Sequence, residues 1–223
     1  DPEDVIAVFD EAHNVEDAAR DHARRTLSER TVDQALDELS EVEDPRVEAA
    51  RNVFETYLTA LREGYREAMG PGTVRENEVD EHWSDLSIAN DDRRDDVTLS
   101  FLQAYTGPGF REELDFALEL GQTLDQRYEE AYKDGETTVR KECQTLQVAQ
   151  FLTAWFDEGN AEGMYPVVSV RRREEDGEQD ALGGGSAGEV YGRAELYTCI
   201  PERVTRSLFD DLHAAVLMSA TLR

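Results

Sequence analysis

Two apolar runs near opposite ends of the sequence place the strongest constraint on the fold. The first covers residues 5–9 and leads directly into Asp10-Glu11-Ala12-His13. The second covers residues 214–218 and leads into Ser219-Ala220-Thr221. Short continuous apolar runs that end in polar residues are typical of buried strands, whose carboxyl ends present reactive side chains at the edge of a parallel sheet. We therefore expect both strands to belong to one parallel sheet.

The segment between the two strands is much longer than a simple crossover, which needs only about a dozen to a few dozen residues. Helical spacing of apolar residues predicts helices over 14–26, 47–65, 97–105, 110–132 and 137–156, the last with Val139 facing inward. A capping-box pattern predicts another helix that begins at Thr31.

The period then changes to that of strands over 165–171 and 189–198. A long, mobile, glycine-rich connection separates them, and a helix follows from 201 to 212. The sequence therefore predicts a mainly α fold. An all-helical inserted domain over 23–160 is flanked by α/β segments at 1–22 and 161–223, with a β-hairpin near 165–199.

The charge of the chain is extreme, with 51 acidic residues against 23 basic ones and a formal net charge of -28. The acidic residues are spread along the whole sequence, which favours adaptation to a salt-filled cytoplasm over an acidic surface that mimics a partner. Acidity of this origin does not exclude nucleic-acid binding. No apolar run is long enough for a membrane span, and no secretory signal opens the sequence, so we expect a cytoplasmic protein.

The first polar segment has a clear chemical rationale. At the end of a strand, Asp10 can hold Mg²⁺ through water, and Glu11 can orient the water that attacks a nucleoside triphosphate. The alternative is an accidental Asp-Glu pair in a sequence rich in such pairs; the preceding strand favours the functional interpretation. Ser219 and Thr221 alone indicate only a capped turn, but paired with the first segment they could link the carboxylates to a DNA-contacting face.

Several further residues are candidates for contact with nucleic acid. Trp83, in a weakly patterned stretch, is the best candidate for stacking on a base. Three arginine clusters could contact phosphates, or could instead be surface arginines paired with carboxylates: Arg24-Arg25, Arg93-Arg94 and Arg171-Arg172-Arg173. Residues 183–188 have the outer glycine spacing of a phosphate loop, but Glu189 stands where the lysine is needed, which indicates a hairpin tip. Beyond Asp10 we expect no metal ligand in this chain.

The polar segments at the two ends make the sequence resemble the XPD family of DEAH-type superfamily 2 DNA helicases. Residues 8–14 resemble motif II of that family, and residues 217–222 resemble its motif III. The stretches 195–201 and 208–212, which lead into the second motif, also look like that family, whereas the helical middle matches it only in kind. Between these motifs the family carries an all-helical Arch domain, so the resemblance covers the whole chain in layout, while its specific residues lie near the two ends.

The resemblance implies an ATP-dependent helicase that moves 5′ to 3′ on single-stranded DNA and opens DNA forks. Asp10 would bind Mg²⁺ through water and Glu11 would act on the attacking water, whereas His13, Ser219 and Thr221 would couple the ATP site to DNA. In the family, the phosphate loop and the four cysteines of a 4Fe-4S cluster lie upstream of motif II. This chain contains neither, so we expect it to bind no cluster and to be inactive in ATP hydrolysis on its own.

Two alternatives remain open. The first is a DinG-like helicase, which shares the DEAH motif and an insertion at this place. The second is a non-hydrolysing module that keeps the motor fold for docking protein partners, such as those of repair or transcription. Intact carboxylates in the first motif speak against the second alternative.

Overall fold

The computed structural model of the protein describes residues 5–70, 74–86, 88, 95–159, 161, 163–172, 189–198, 200 and 202–219. Within these residues the fold is a mixed α/β fold with seven helices and two small sheets. The predicted glycine-rich connection, including residues 183–188, lies outside the described residues.

The two end strands pair as the sequence predicts. Strand β1 (Ile6–Phe9) lies parallel to β6 (Ala214–Leu217), with Ile6 opposite Ala214 and Phe9 opposite Leu217. Helices α1 (Val15–Ala23) and α7 (Glu202–Asp211) pack against each other next to this pair. The prediction of a parallel pair built from opposite ends of the sequence is confirmed.

A second sheet has four antiparallel strands in the order β2-β5-β4-β3. These strands are β2 (Arg25–Ser28), β3 (Ser84–Leu86), β4 (Met164–Arg172) and β5 (Val190–Thr198). Strands β4 and β5 confirm the predicted hairpin. Strands β2 and β3 show that the prediction of an all-helical segment over 23–160 is wrong. Because each is only three or four residues long and is held by pairing with distant residues, local periodicity does not reveal them.

Five further helices form the rest of the described chain. They are α2 (Glu29–Ser40), α3 (Val47–Ala68), α4 (Asp96–Ala104), α5 (Phe110–Lys133) and α6 (Gln144–Glu158). Periodicity predicts both ends of α4 and α5 to within one residue, and the start of α3, whose end at Ala68 lies three residues beyond the predicted one.

Three predicted boundaries are wrong for identifiable reasons. Helix α1 ends at Ala23 rather than near residue 26, because the next residues pair with β5. Helix α2 begins at Glu29, since the Ser28 hydroxyl accepts a hydrogen bond from the Thr31 amide at 3.2 Å and caps the helix. Helix α6 begins at Gln144, and Val139 is 74% exposed outside it rather than buried.

The four-stranded sheet has one apolar face, which packs on the helices, and one polar face. Alternate residues of β4 and β5 are completely buried and join the core formed with the helices: Val168, Val170, Ala194 and Leu196. Residues directly opposite each other across antiparallel strands share a face. Arg171 with Tyr191 and Ser169 with Arg193 are such partners, so they lie together on the other, polar face.

Within the described residues, no helix is both long and apolar enough to cross a membrane.

Candidate functional site at the edge of the parallel strands

The hydrogen-bonded pairing of β1 and β6 continues past the carboxyl ends of both strands. The Met218 amide donates to the Phe9 carbonyl at 2.8 Å, and the Ala12 amide donates to the Met218 carbonyl at 2.9 Å. Ala12 is buried, and the Phe9 ring contacts Phe209 of α7 with centroids 5.4 Å apart. These contacts fix the backbone of the first polar segment directly beside the backbone of the second.

A tight turn projects the acidic pair from the end of β1. Glu11 has φ 50° and ψ 44°, which makes it the one non-glycine residue with positive φ in the described part of the chain. This left-handed conformation costs a non-glycine residue free energy and is concentrated at functional sites. The Asp10 carboxylate accepts a hydrogen bond from the Glu11 amide at 2.9 Å, and a short 3₁₀ turn over Ala12–Asn14 follows.

The structure brings together residues from the two ends of the sequence through a single imidazole. Nδ1 of His13 lies 2.7 Å from the Ser219 hydroxyl, across 206 positions of sequence, and 3.2 Å from a Glu11 carboxylate oxygen. Depending on its tautomer, Nδ1 either donates to these oxygens or accepts from the serine hydroxyl. One imidazole nitrogen therefore contacts both Glu11 and Ser219.

Asp10 is exposed at the same edge, and its fit to a metal can be judged from the donor set. No group of three or more histidine, cysteine or acidic side chains capable of holding a metal ion occurs among the described residues. Mg²⁺ usually keeps several waters and binds through one or two carboxylates together with substrate phosphates. A lone exposed carboxylate such as Asp10 fits that mode, in which the remaining ligands come from a nucleotide and from water.

Two of the arginines predicted to contact phosphate, Arg24 and Arg25, have a carboxylate close by. Arg24 forms an ion pair with the completely buried carboxylate of Glu195, and its guanidinium carbon lies 4.5 Å from the Tyr197 ring centroid. Arg25 is half exposed, with a nitrogen 3.8 Å from a Glu158 oxygen. For these two residues the structure has the carboxylate pairing that the sequence left as the alternative to phosphate contact. Arg93, Arg94 and Thr221 lie outside the described residues.

Trp83 lies in a cluster of arginine and aromatic side chains on the polar face of the four-stranded sheet. Its ring meets Tyr191 edge-on at 5.4 Å, and the guanidinium carbons of Arg171 and Arg193 lie 4.6 Å and 4.0 Å from its centroid. The sequence singled out Trp83 and Arg171 separately but gave no reason to select Tyr191 or Arg193. The alternation of Tyr191, Arg193 and Glu195 along β5 is the signal that could have placed the last two on one face.

Comparison with known proteins gives limited information. No family model matches the chain, and no curated protein matches it. Among solved structures, a chain described as "XPD_APO" is similar at 18% sequence identity with a TM-score of 0.45; the match covers 100% of this chain and 31% of that one. The chain thus spans less than a third of the length of that protein, and a likeness of this size assigns neither family nor activity.

Proposed function

We propose that this chain is part of an ATP-dependent helicase of the XPD type, which moves 5′ to 3′ along single-stranded DNA. In this proposal β1 and β6 belong to a RecA-like motor domain, and the segment between them forms an Arch-like insertion. The observation that carries the proposal is the contact between His13 and Ser219 at the carboxyl edge of two adjacent parallel strands. That edge is where ligands bind in open α/β sheets.

The exposure of both end strands supports a larger sheet. Ile6 and Val8 are 62% and 61% exposed, and Val216 and Leu217 are about half exposed. Parallel sheets are normally covered on both faces, and an isolated pair of strands is at best marginally stable in water. We therefore propose that further strands and helices of the motor cover this pair.

Each side chain at this edge would have a different role in nucleotide hydrolysis. The Asp10 carboxylate would hold Mg²⁺ through water, and the ion would neutralise charge on the phosphates of ATP. The Glu11 carboxylate would orient the attacking water and accept its proton. His13 would transmit a change at Glu11 to Ser219 and, through Thr221, to the bound strand. A 4Fe-4S cluster would be held by cysteines outside this chain, since the chain has two cysteines and such a cluster needs four.

The test is ATP hydrolysis by the longest natural polypeptide that contains this sequence, with and without single-stranded DNA. Glu11→Gln keeps the size of the side chain but removes the carboxylate, so we expect hydrolysis to fall by about a hundredfold or more. Glu136→Gln, an exposed change outside the site, should leave the rate unaltered. Full activity in Glu11→Gln would overturn the role of Glu11. If the wild-type protein hydrolyses no ATP, the motor proposal is wrong and an interaction module takes its place.

A further inference from the structure

The polar face of the four-stranded sheet carries a second candidate site, separate from the edge of the parallel strands. A cleft of about 770 Å³ opens there, which is within the usual size range of ligand sites. Trp83, Tyr191, Arg171 and Arg193 line it on one side, and Arg30 from the start of α2 lines it on another. None of these residues belongs to the cluster around His13.

The aromatic and arginine side chains in the cleft contact one another directly. Arg171 and Tyr191 are direct cross-strand partners, and Nε of Arg171 donates a hydrogen bond to the Tyr191 hydroxyl. The Arg171 guanidinium carbon lies 5.0 Å from the Tyr191 centroid and 4.6 Å from that of Trp83. Arg171 therefore contacts both rings, and besides Nε its guanidinium has further N–H donors for a ligand.

Arg171 differs from many arginines of this protein in its charged surroundings. Acidic residues outnumber basic ones by more than two to one in the sequence, and several arginines, among them Arg24, Arg62 and Arg193, have a carboxylate oxygen within 4 Å. In the part of the chain that the structure describes, Arg171 is half-buried and yet has no carboxylate within 4 Å, and Arg30 has none either. The neighbouring Glu29 carboxylate already accepts from Arg62 and from the Gly192 amide.

Five arginines and four acidic side chains line the cleft, and Arg193 also pairs with the buried Glu195, so the charges at the cleft balance in a protein of net charge -28. A half-buried guanidinium without a carboxylate is best satisfied by an anion from outside. The Trp83 and Tyr191 rings that Arg171 contacts favour a ligand that also has a flat π-face.

We propose that this cleft binds one nucleotide unit of a nucleic-acid single strand. The base stacks against the cluster of Trp83, Arg171 and Tyr191, and the adjoining phosphate pairs with Arg171 and Arg30. Single strands offer unpaired bases for stacking on aromatic rings and guanidinium planes, which a duplex does not. The identity of the strand rests on the proposed function, because the strand is the one on which the motor would act.

The experiment measures binding of a fluorescein-labelled oligothymidylate of about twenty nucleotides to this chain by anisotropy, without ATP, over a series of KCl concentrations. Arg171→Gln removes the central guanidinium and should weaken binding about tenfold, which is the effect of losing stacking on one base. Arg30→Gln, whose exposed side chain has no described partner to lose, should lower the slope of log affinity against log salt by about 0.7. Arg140→Gln is the matched control, since Arg140 is also exposed and pairs with Asp125 away from the cleft.

Tryptophan fluorescence supplies a readout that a folding defect would not reproduce. The chain has two tryptophans, and Trp155 is buried, so quenching by the oligonucleotide should come from Trp83 and be absent in Trp83→Phe. Unaltered affinity in both Arg171→Gln and Arg30→Gln would overturn the proposal, as would equal affinity of the wild type for thymidine monophosphate and for the strand. Because no ATP is used, failure here leaves the motor proposal standing, and an inactive motor leaves this test unaffected.

Discussion

Two tyrosines differ in whether their hydroxyl groups have partners, and this difference predicts opposite effects of the same substitution. Tyr57 is fully buried among Phe101, Trp155 and Phe156, and its hydroxyl has no hydrogen-bond partner among the described residues. The Tyr128 hydroxyl donates to Glu38 at 2.9 Å. An unsatisfied buried hydroxyl costs free energy, whereas a satisfied one contributes about 1 kcal/mol.

We therefore expect Tyr57→Phe to leave the free energy of unfolding unchanged or raise it by up to about 1 kcal/mol, and Tyr128→Phe to lower it by about 1 kcal/mol. Urea titration followed by circular dichroism measures both values. A loss in Tyr57→Phe as large as that in Tyr128→Phe would show that the Tyr57 hydroxyl has a partner.

The buried carboxylate of Glu195 joins Arg24, which lies between α1 and β2, to the polar face of the sheet. It is completely buried and accepts from Arg24, Arg193 and the Ser169 hydroxyl. Burial alone would raise the pKa of Glu195, but the hydrogen bonds from Ser169 and Arg24 and the charge of Arg193 outweigh it and hold the pKa below its ordinary value. The ionised form is therefore the one that stabilises the fold.

Glu195→Gln leaves two partly buried guanidinium groups without their counter-charge, so we expect a loss of about 3 kcal/mol in the free energy of unfolding at pH 7. The exposed Glu158→Gln should change it by less than about 0.5 kcal/mol. Because the folded-state pKa of Glu195 is depressed, its contribution is complete above the ordinary carboxyl pKa and disappears as the pH falls through the lower folded-state value. A difference between wild type and Glu195→Gln that does not shrink on acidification would contradict this account.

At the scale of elements, the close approach of α5 to the first turn of α6 depends on one glycine. A Cβ added to Gly121 would lie 2.7 Å from the Leu146 Cα and 2.8 Å from its amide nitrogen. These are backbone atoms of α6, so no change of side-chain rotamer can relieve the clash.

Gly121→Ala should lower the free energy of unfolding by about 1–3 kcal/mol, even though alanine is the better helix former. Gly70→Ala is the matched control, because a Cβ there meets no atom within 4 Å. Thermal unfolding of both variants checks this prediction. A stabilised Gly121→Ala would mean that the two helices lie farther apart than the structure has them.

The elements also show what the sequence could and could not predict. Helices α3 and α5 are long and strongly periodic, so their buried faces follow from spacing alone. Strands β2 and β3 each bury a single leucine of the core, Leu27 and Leu86, and owe their conformation to pairing with β5 and β4. No local pattern contains that information, because the partners are more than eighty residues away in the sequence.

The two candidate sites also differ in whether the sequence could predict them. The cluster of Glu11, His13 and Ser219 was predictable because two strands of recognisable type end there, and parallel strands present their carboxyl ends at one edge. The cleft was not predictable, because Trp83, Tyr191 and Arg193 come together only through the order β5-β4-β3 in the sheet.

At the scale of the whole molecule, the net charge of -28 predicts that stability depends on salt. Like charges repel in the compact state, and KCl screens them: the screening length falls from about 10 Å at 0.1 M to about 3 Å at 1 M. We expect the midpoint of thermal unfolding to rise by roughly 5–10 °C over this range and much less above it.

Differential scanning calorimetry in a KCl series checks this prediction, with a sucrose series as the control for stabilisation by an excluded solute. Sucrose stabilises the folded state without screening charges, so the midpoint should rise steadily with sucrose concentration instead of levelling off. A midpoint that does not change between 0.1 M and 1 M KCl would contradict adaptation of this protein to high salt.

In the proposed motor, the two ends of the sequence form one coupled site through His13 and Ser219. The most direct test measures how strongly single-stranded DNA stimulates ATP hydrolysis in the longest natural polypeptide that contains this sequence, for His13→Ala, Ser219→Ala and the double variant. We predict that each single change lowers the stimulation about tenfold and that the double variant loses no more than either one, because both act through one contact. If the losses of stimulation in the two single variants multiply in the double variant, His13 and Ser219 act independently. That result, or full stimulation in both single variants, would contradict the coupling.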